Sequence, residues 1–285
     1  SVERIDGDLV LLKDRTRSIR TYTTDSTIGE VPKLAQKHQI KVALGAWIDA
    51  RFAHNATEIE RAIRLARRHD NVIRLIVGNE VILRGDIPLA DLTAYLDKVR
   101  AAVKQPVSTA EPWHVWLRHP ELAEHVDYLA VHMLPYWEGI PADASIGYID
   151  SKVAELEQAF PGKKIVLAEV GWPSNGRTRE AAVASESNEA MFLRRFLARA
   201  REQGYGYYLM EAFDQPWKAQ SEGSVGAYWG VWNVDREAKF PFKAPIVRIP
   251  EWRTLAAIAV ALALLLFTVF SLDGRRLATS GRSFL

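Results

Sequence analysis

Along most of the chain two hydrophobic patterns alternate. Short runs that are apolar almost throughout sit between longer stretches whose apolar residues recur three and four positions apart. The first pattern predicts strands buried on both faces of a parallel sheet, and the second predicts amphipathic helices. The strand-like runs are 18–23, 41–48, 72–77, 106–110, 128–134, 164–168 and 206–213. Helical faces are carried by Val31, Leu34 and Ala35; by Ile59, Ala62, Ile63 and Ala66 within 58–68; and by Leu92, Tyr95, Leu96, Val99 and Val103 within 89–103. Ile149, Val153, Leu156 and Phe160 form another, as do Phe192, Leu193, Phe196, Leu197 and Ala200, and a helix over 5–14 opens the chain.

Strand and helix in alternation predict an α/β fold, and closure into a (β/α)8 barrel takes roughly 250 residues. Because a helix comes first, the barrel's first strand is expected upstream of Ser1. A doubly wound open sheet is the alternative, but no Gly-rich phosphate loop follows an early strand to support it. Residues 255–272 break the pattern with LAAIAVALALLLFTVFSL, free of charge, Gly and Pro. That run is long enough to span a bilayer, and Arg275, Arg276 and Arg282 beyond it read as a charged stop. The expected layout is a barrel over 1–247, a linker over 248–254, a transmembrane helix over 255–272 and a tail over 273–285.

Composition narrows the chemistry. Of 285 residues 48% are hydrophobic and 25% charged, which excludes disorder. A net charge of +2 argues against a nucleic-acid partner, which would require many neutralised phosphates. With no cysteine there is no thiol nucleophile or thiolate metal site. His114, His119, His125 and His132 have no metal-ligand spacing on one helix face, and Ser174 lacks a nucleophile elbow. No cofactor or metal is implied.

In a barrel, reactive side chains sit where strands end. Run 72–77 leads into Gly78-Asn79-Glu80, and run 164–168 into Glu169. A carboxylate following an apolar strand is costly to bury unless it is paired or used. Two of them suit glycoside hydrolysis: one carboxyl protonates the leaving oxygen, and the other attacks the anomeric carbon or activates water. A separation of about 5 Å gives retention of configuration, and a larger gap inversion. Of the nine tryptophans, Trp47, Trp113, Trp137, Trp172, Trp217, Trp229 and Trp232 fall at or after strand ends, as expected for a cleft that stacks pyranose rings.

Val77-Gly78-Asn79-Glu80-Val81 and Glu169-Val170-Gly171-Trp172-Pro173-Ser174 together resemble glycoside hydrolase family 17, the β-1,3-glucanase family, although Val170 stands where plant members usually carry Thr. Arg20-Thr21-Tyr22, the run His132–Glu138 containing Tyr136, and the run Glu211–Lys218 containing Phe213 and Trp217 resemble its bacterial branch, some members of which are membrane-tethered or fused to glycosyltransferases. The resemblance covers about residues 5–242. It implies that Glu80 is the acid/base and Glu169 the nucleophile of a retaining enzyme acting on β-glucan by hydrolysis or transfer. It further implies that Asn79 bonds the sugar 2-OH, and that Tyr22 and Tyr136 orient Glu169 or line the subsite of the reacting ring. His132, Trp172, Phe213 and Trp232 join the substrate-binding set. Glu211 and Lys218 either bind hydroxyls or offset each other's charge. The apolar span implies a membrane anchor with the barrel outside the cytoplasm, beside a fused or associated glycosyltransferase. The alternative is a non-catalytic glucan-binding scaffold of a membrane complex.

Overall fold

In the computed structural model, which describes residues 1–249 and 251–274, helices and strands alternate as the periodicity predicts. The order begins α1 (Val2–Leu12), β1 (Ser18–Arg20), α2 (Val31–Lys37), β2 (Lys41–Ala46), α3 (Phe52–Arg68), β3 (Val72–Asn79), α4 (Val81–Arg84) and α5 (Leu89–Ala102). It continues β4 (Val107–Pro112), α6 (Trp113–Arg118), β5 (Leu129–Met133), α7 (Ser145–Ala159), β6 (Ile165–Val170), α8 (Glu186–Gln203), β7 (Gly206–Leu209) and α9 (Ala219–Glu222). The helix α10 (Trp252–Gly274) comes last.

All seven strands are parallel and neighbour one another in chain order, β1 through β7. A doubly wound sheet would reverse its order at a switch point; this one never does. Instead it curls into a nearly closed barrel. Arg20 on β1 donates 2.8 Å to the Ala168 carbonyl on β6, and the Tyr208 side chain on β7 is hydrogen-bonded to Ser18 on β1. Small inward residues make room for this curvature. Ala43, Ala110, Ala130 and Ala168 pack with Ile76, Val166, Tyr128 and Tyr208 in one buried cluster. Below them the Arg74 guanidinium lies 5.1 Å from the Tyr128 ring and 5.9 Å from that of Tyr208.

Four strands are shorter than the apolar runs suggest, β2 and β5 slightly, β1 and β7 by half. β1 ends at Arg20 because the chain then folds onto β2: a Cβ at Gly45 would stand 2.2 Å from the Thr21 carbonyl oxygen. β7 ends at Leu209, and residues 211–214 leave the sheet to bond with 229–232. Glu211 N donates to Trp229 O, Val231 N to Glu211 O and Asp214 N to Trp232 O. β4, in contrast, extends past the expected Ala110 to Pro112 and takes Glu111 into the sheet.

The loops at the strand ends are tied from beneath by Glu58 on α3, which is fully buried. Its carboxylate accepts from Thr23 Oγ1 at 2.8 Å, Thr24 N at 2.8 Å and Trp47 N at 3.0 Å, joining the segments after β1 and β2.

The described residues divide into two compact units after Phe240. In the second, α10 contains a stretch, Trp252–Leu272, long and apolar enough to cross a membrane, with none of it buried. The helix starts three residues before the apolar run, at Trp252. The expected charged stop at Arg275, Arg276 and Arg282 lies outside the described residues.

Glu58→Ala strands one buried and one half-buried N–H donor and the Thr23 hydroxyl, so unfolding free energy from urea titration should fall by about 3 kcal/mol. A loss under 1 kcal/mol would show that these loops are held by other means.

Candidate active site

Parallel strands end on the same rim, so their last residues converge. Arg20 comes from β1, Asn79 and Glu80 from the end of β3, Glu111 from β4, His132 from β5 and Glu169 from β6. Glu211 follows β7.

Glu80 occupies a turn with φ 56° and ψ 33°, a left-handed conformation that costs a residue with a Cβ of order 1–3 kcal/mol. Three features hold it there. Its N–H donates 2.7 Å to Ala110 O. Gly78 precedes it at φ +87°, where a Cβ would press to 2.6 Å from Val81 Cγ2. Beyond it, Glu111 caps the start of α4, accepting from Ile82 N at 2.8 Å and Leu83 N at 3.3 Å. Glu111 is fully buried, and burial is what pushes its carboxyl up to about 7. The Ile82 and Leu83 N–H groups and His132 pull the other way, while Glu80 adds to the rise.

Glu80 and Glu169 face each other across His132. The His132 Nδ1 lies 2.7 Å from Glu80 Oε1, and its Nε2 lies 3.3 Å from Glu169 Oε1. One carboxylate oxygen of Glu80 and one of Glu169 come within 4.8 Å of each other. Glu169 is the deeper of the two, its side chain 8% exposed against 27% for Glu80. Burial pushes the Glu80 carboxyl up, but the His132 hydrogen bond and the Arg84 and Arg20 charges outweigh it and hold it below the usual range.

Arg20 is the counter-charge. Its side chain is 3% exposed, and NH1 donates to Glu169 Oε1 at 3.2 Å while NH2 donates to Asn79 Oδ1 at 2.5 Å. The Tyr22 ring lies 4.4 Å under the guanidinium, and its hydroxyl is hydrogen-bonded to Glu169. Burial, then the Glu169 charge, raises that phenol well above its ordinary range. By spacing alone Glu80, His132 and Glu169 would suit a cation. Arg20 already fixes a positive charge on the shared oxygen, which fits a protonic site better than a metal centre.

Across the rim, Lys218 Nζ lies 2.8 Å from Glu211 Oε2, and Gln215 Nε2 donates to the same oxygen. The other Glu211 oxygen is buried and has no hydrogen-bond partner among the described residues. One oxygen of the side chain therefore offsets Lys218, and the other is left without a donor among the described residues. Burial raises the Glu211 carboxyl, and Lys218 limits the rise.

The aromatic residues divide differently from the expected cleft. Tyr136 and Trp172 are fully buried; their rings meet edge-on at 5.8 Å, and Tyr136 meets Trp229 in the same way. Tyr136 donates its hydroxyl to Arg177 O and Trp172 its Nε1–H to Val183 O. These are packing contacts, and the Tyr136 hydroxyl is engaged with the Arg177 carbonyl rather than with Glu169. Trp232 is nearly buried against Phe213, ring centres 5.9 Å apart. Trp217 is 64% exposed and presents the open face expected of a sugar platform.

Sequence reasoning missed Glu111 altogether, and it quoted Arg20 without assigning it a role. A strand continued past Ala110 to Pro112 would have exposed the first omission.

Comparison with known proteins bears on this geometry. Residues 1–230 match the family described as the BtgE/BtgC glycoside hydrolase domain. The chain is 30% identical over 254 residues to a glucan 1,3-beta-glucosidase of Schizosaccharomyces pombe, covering 82% of this chain and 78% of that one. Among solved structures it is similar to a glycoside hydrolase family 17 beta-1,3-glucanosyltransferase from Rhizomucor miehei, with TM-score 0.76 and 30% identity over 84% of this chain and 90% of that one. An active-site mutant of that enzyme in complex with laminaritriose matches equally well.

Glu111 generates a pH-dependent prediction. Its carboxyl stands at about 7 in the folded chain against 4.5 ordinarily. A raised acid contributes stability that is full below the lower value and lost as pH rises through the upper one. The unfolding free energy of wild type minus that of Glu111→Gln should therefore drop by about 3 kcal/mol between about pH 4 and pH 8. A flat difference would show that the Glu111 carboxylate is not desolvated.

Proposed function

The chain belongs to glycoside hydrolase family 17, and from that membership we propose a retaining mechanism on β-1,3-glucan in which Glu169 is the nucleophile and Glu80 the acid/base. That the enzyme is a glycosidase or transglycosylase acting on β-1,3-glucan follows from its relatives. The observation supporting the mechanism is the approach of the two carboxylates to within 4.8 Å, which suits direct attack and leaves little room for an intervening water.

In the first step a Glu169 oxygen attacks the anomeric carbon as the glycosidic C–O bond breaks, and Glu80 gives its proton to the departing oxygen. The product is an ester between Glu169 and the sugar. In the second step Glu80 takes a proton from water, or from a sugar hydroxyl, as that oxygen displaces the ester. Water completes hydrolysis, and a sugar hydroxyl completes transfer. Arg20 pairs with Glu169 at 3.2 Å and supplies the counter-charge for the buried carboxylate. Because Arg20 also occupies the Asn79 carbonyl oxygen, the Asn79 amide nitrogen is free to donate to the 2-OH, a bond that strengthens toward the oxocarbenium-like transition state. Trp217 offers a stacking face, and Glu211 with Lys218 a hydroxyl site. Apolar on every side and unburied, α10 supports a membrane anchor, with the barrel on the non-cytoplasmic side where glucan is met.

With laminaripentaose, the first-formed reducing sugar seen by proton NMR should be the β-anomer, and Glu169→Gln should lower kcat at least ~1,000-fold while glucan binding persists. An initial α-anomer would replace this mechanism with an inverting one, and binding without turnover by the wild type would favour a scaffold. The full-length chain should float with phosphatidylcholine vesicles on a density gradient. Leu264→Asp with Leu265→Asp should leave it at the bottom, and equal flotation of both forms would remove the anchor.

A further inference from the structure

His132 is buried, lies between the two glutamates, and needs no sugar to explain its contacts. Its tautomer can be argued from its neighbours. Arg20 NH1, which can only donate, lies 3.1 Å from Nε2. Glu169 Oε1, 3.3 Å from Nε2, could accept a hydrogen placed there, but it already accepts from Arg20 NH1. That donor stands nearer to Nε2 and would face its N–H, so Arg20 favours the form in which Nε2 keeps its lone pair. The ring hydrogen then sits on Nδ1, 2.7 Å from Glu80 Oε1 and pointing at it. An oxygen that already accepts this bond is the poorer place for a second hydrogen, so the acidic proton goes to Oε2.

We infer that His132 is a positioning residue of the glycosidase reaction: its Nδ1–H engages Oε1 of Glu80 and so assigns the transferable proton to Oε2 in both steps. Glu80 gives its proton to the leaving oxygen and later takes one from the incoming oxygen at the same place. A carboxyl free to rotate or to swap oxygens would have to find that geometry anew for each transfer. The inference rests on the assignment of Glu80 as acid/base.

The charged groups around this pair are few. Arg20 approaches from β1, Arg84 from α4, Glu111 from β4 and Glu169 from β6, and Glu222 of α9 senses the charge of Glu80 from across the rim. Among the described groups that lower the Glu80 pKa, only His132 is hydrogen-bonded to its carboxylate. Removing this donor should therefore let the Glu80 carboxyl rise. In a retaining enzyme the alkaline limb of kcat/KM reports the acid that must be protonated, so that limb should move up.

The experiment compares pH profiles of kcat/KM on laminaripentaose for the wild type, His132→Leu and His132→Gln, with folding checked by thermal melting. His132→Leu should lower kcat ~10- to 100-fold with KM changed less than about twofold, and its alkaline limb should shift upward by roughly one pH unit. His132→Gln retains an N–H donor and should bring both the limb and kcat back toward the wild type. A loss of kcat with an unmoved limb in His132→Leu overturns the inference, because a merely structural histidine predicts that result. Nitrogen NMR of the wild-type imidazole decides independently of any variant: hydrogen on Nδ1 with Nε2 bare supports the inference, and hydrogen on Nε2 overturns it. A wild type that turns over no β-1,3-glucan would defeat the glycosidase mechanism instead, while the nitrogen spectrum would still report the tautomer.

Discussion

One guanidinium crossing the mouth of the barrel sets the terms for everything around it. Arg20 leaves β1 and reaches the Ala168 carbonyl and the Glu169 carboxylate of β6, the His132 ring of β5 and the Asn79 amide of β3. Glu169 is buried, and Arg20 gives its carboxylate a cation to pair with at 3.2 Å. The same cation turns the Asn79 amide nitrogen outward and selects the tautomer of His132. Charge, amide orientation and ring protonation thus follow from one side chain, and the curvature that brings β1 against β6 makes its reach possible.

A second buried ionic group secures the opposite wall. Lys239 Nζ lies 3.0 Å from Asp214, 3.3 Å from Glu189 of α8 and 2.7 Å from the Ser174 hydroxyl. It connects the segment after β6 to that after β7, which carries Trp217 and Lys218. Burial pushes the Glu189 carboxyl well up and the lysine opposes it, as expected where one cation serves two acids in an apolar setting. Rigid support of this kind lets loops bear chemistry without wandering.

Much of this was legible in the residues themselves. The seven apolar runs became seven strands, and Glu80 and Glu169 stood where runs ended. What escaped had physical causes. Glu111 lies in a strand that carries polar residues on both faces, Ser108 and Thr109 being buried through hydrogen bonds that periodicity does not register. The end of β7 is misjudged because Ala212 and Phe213 prolong the apolar run, yet residues 211–214 bond to 229–232. Tyr136 and Trp172 look like cleft residues because loop aromatics and core aromatics share one alphabet; only packing separates them, edge-on for Tyr136 against Trp229 and tilted for Trp172 against Phe192. Arg20 could be quoted from sequence but not assigned, since its partners come from three distant strands.

The central claim is that Glu169 bonds covalently to the sugar. It is tested most directly by incubating the enzyme with a 2-deoxy-2-fluoro laminaribiosyl fluoride and locating the label by mass spectrometry of peptides. The account predicts a stable glycosyl ester on Glu169, formed in step with loss of activity. A label on any other residue, or an active enzyme that accumulates none, would contradict it.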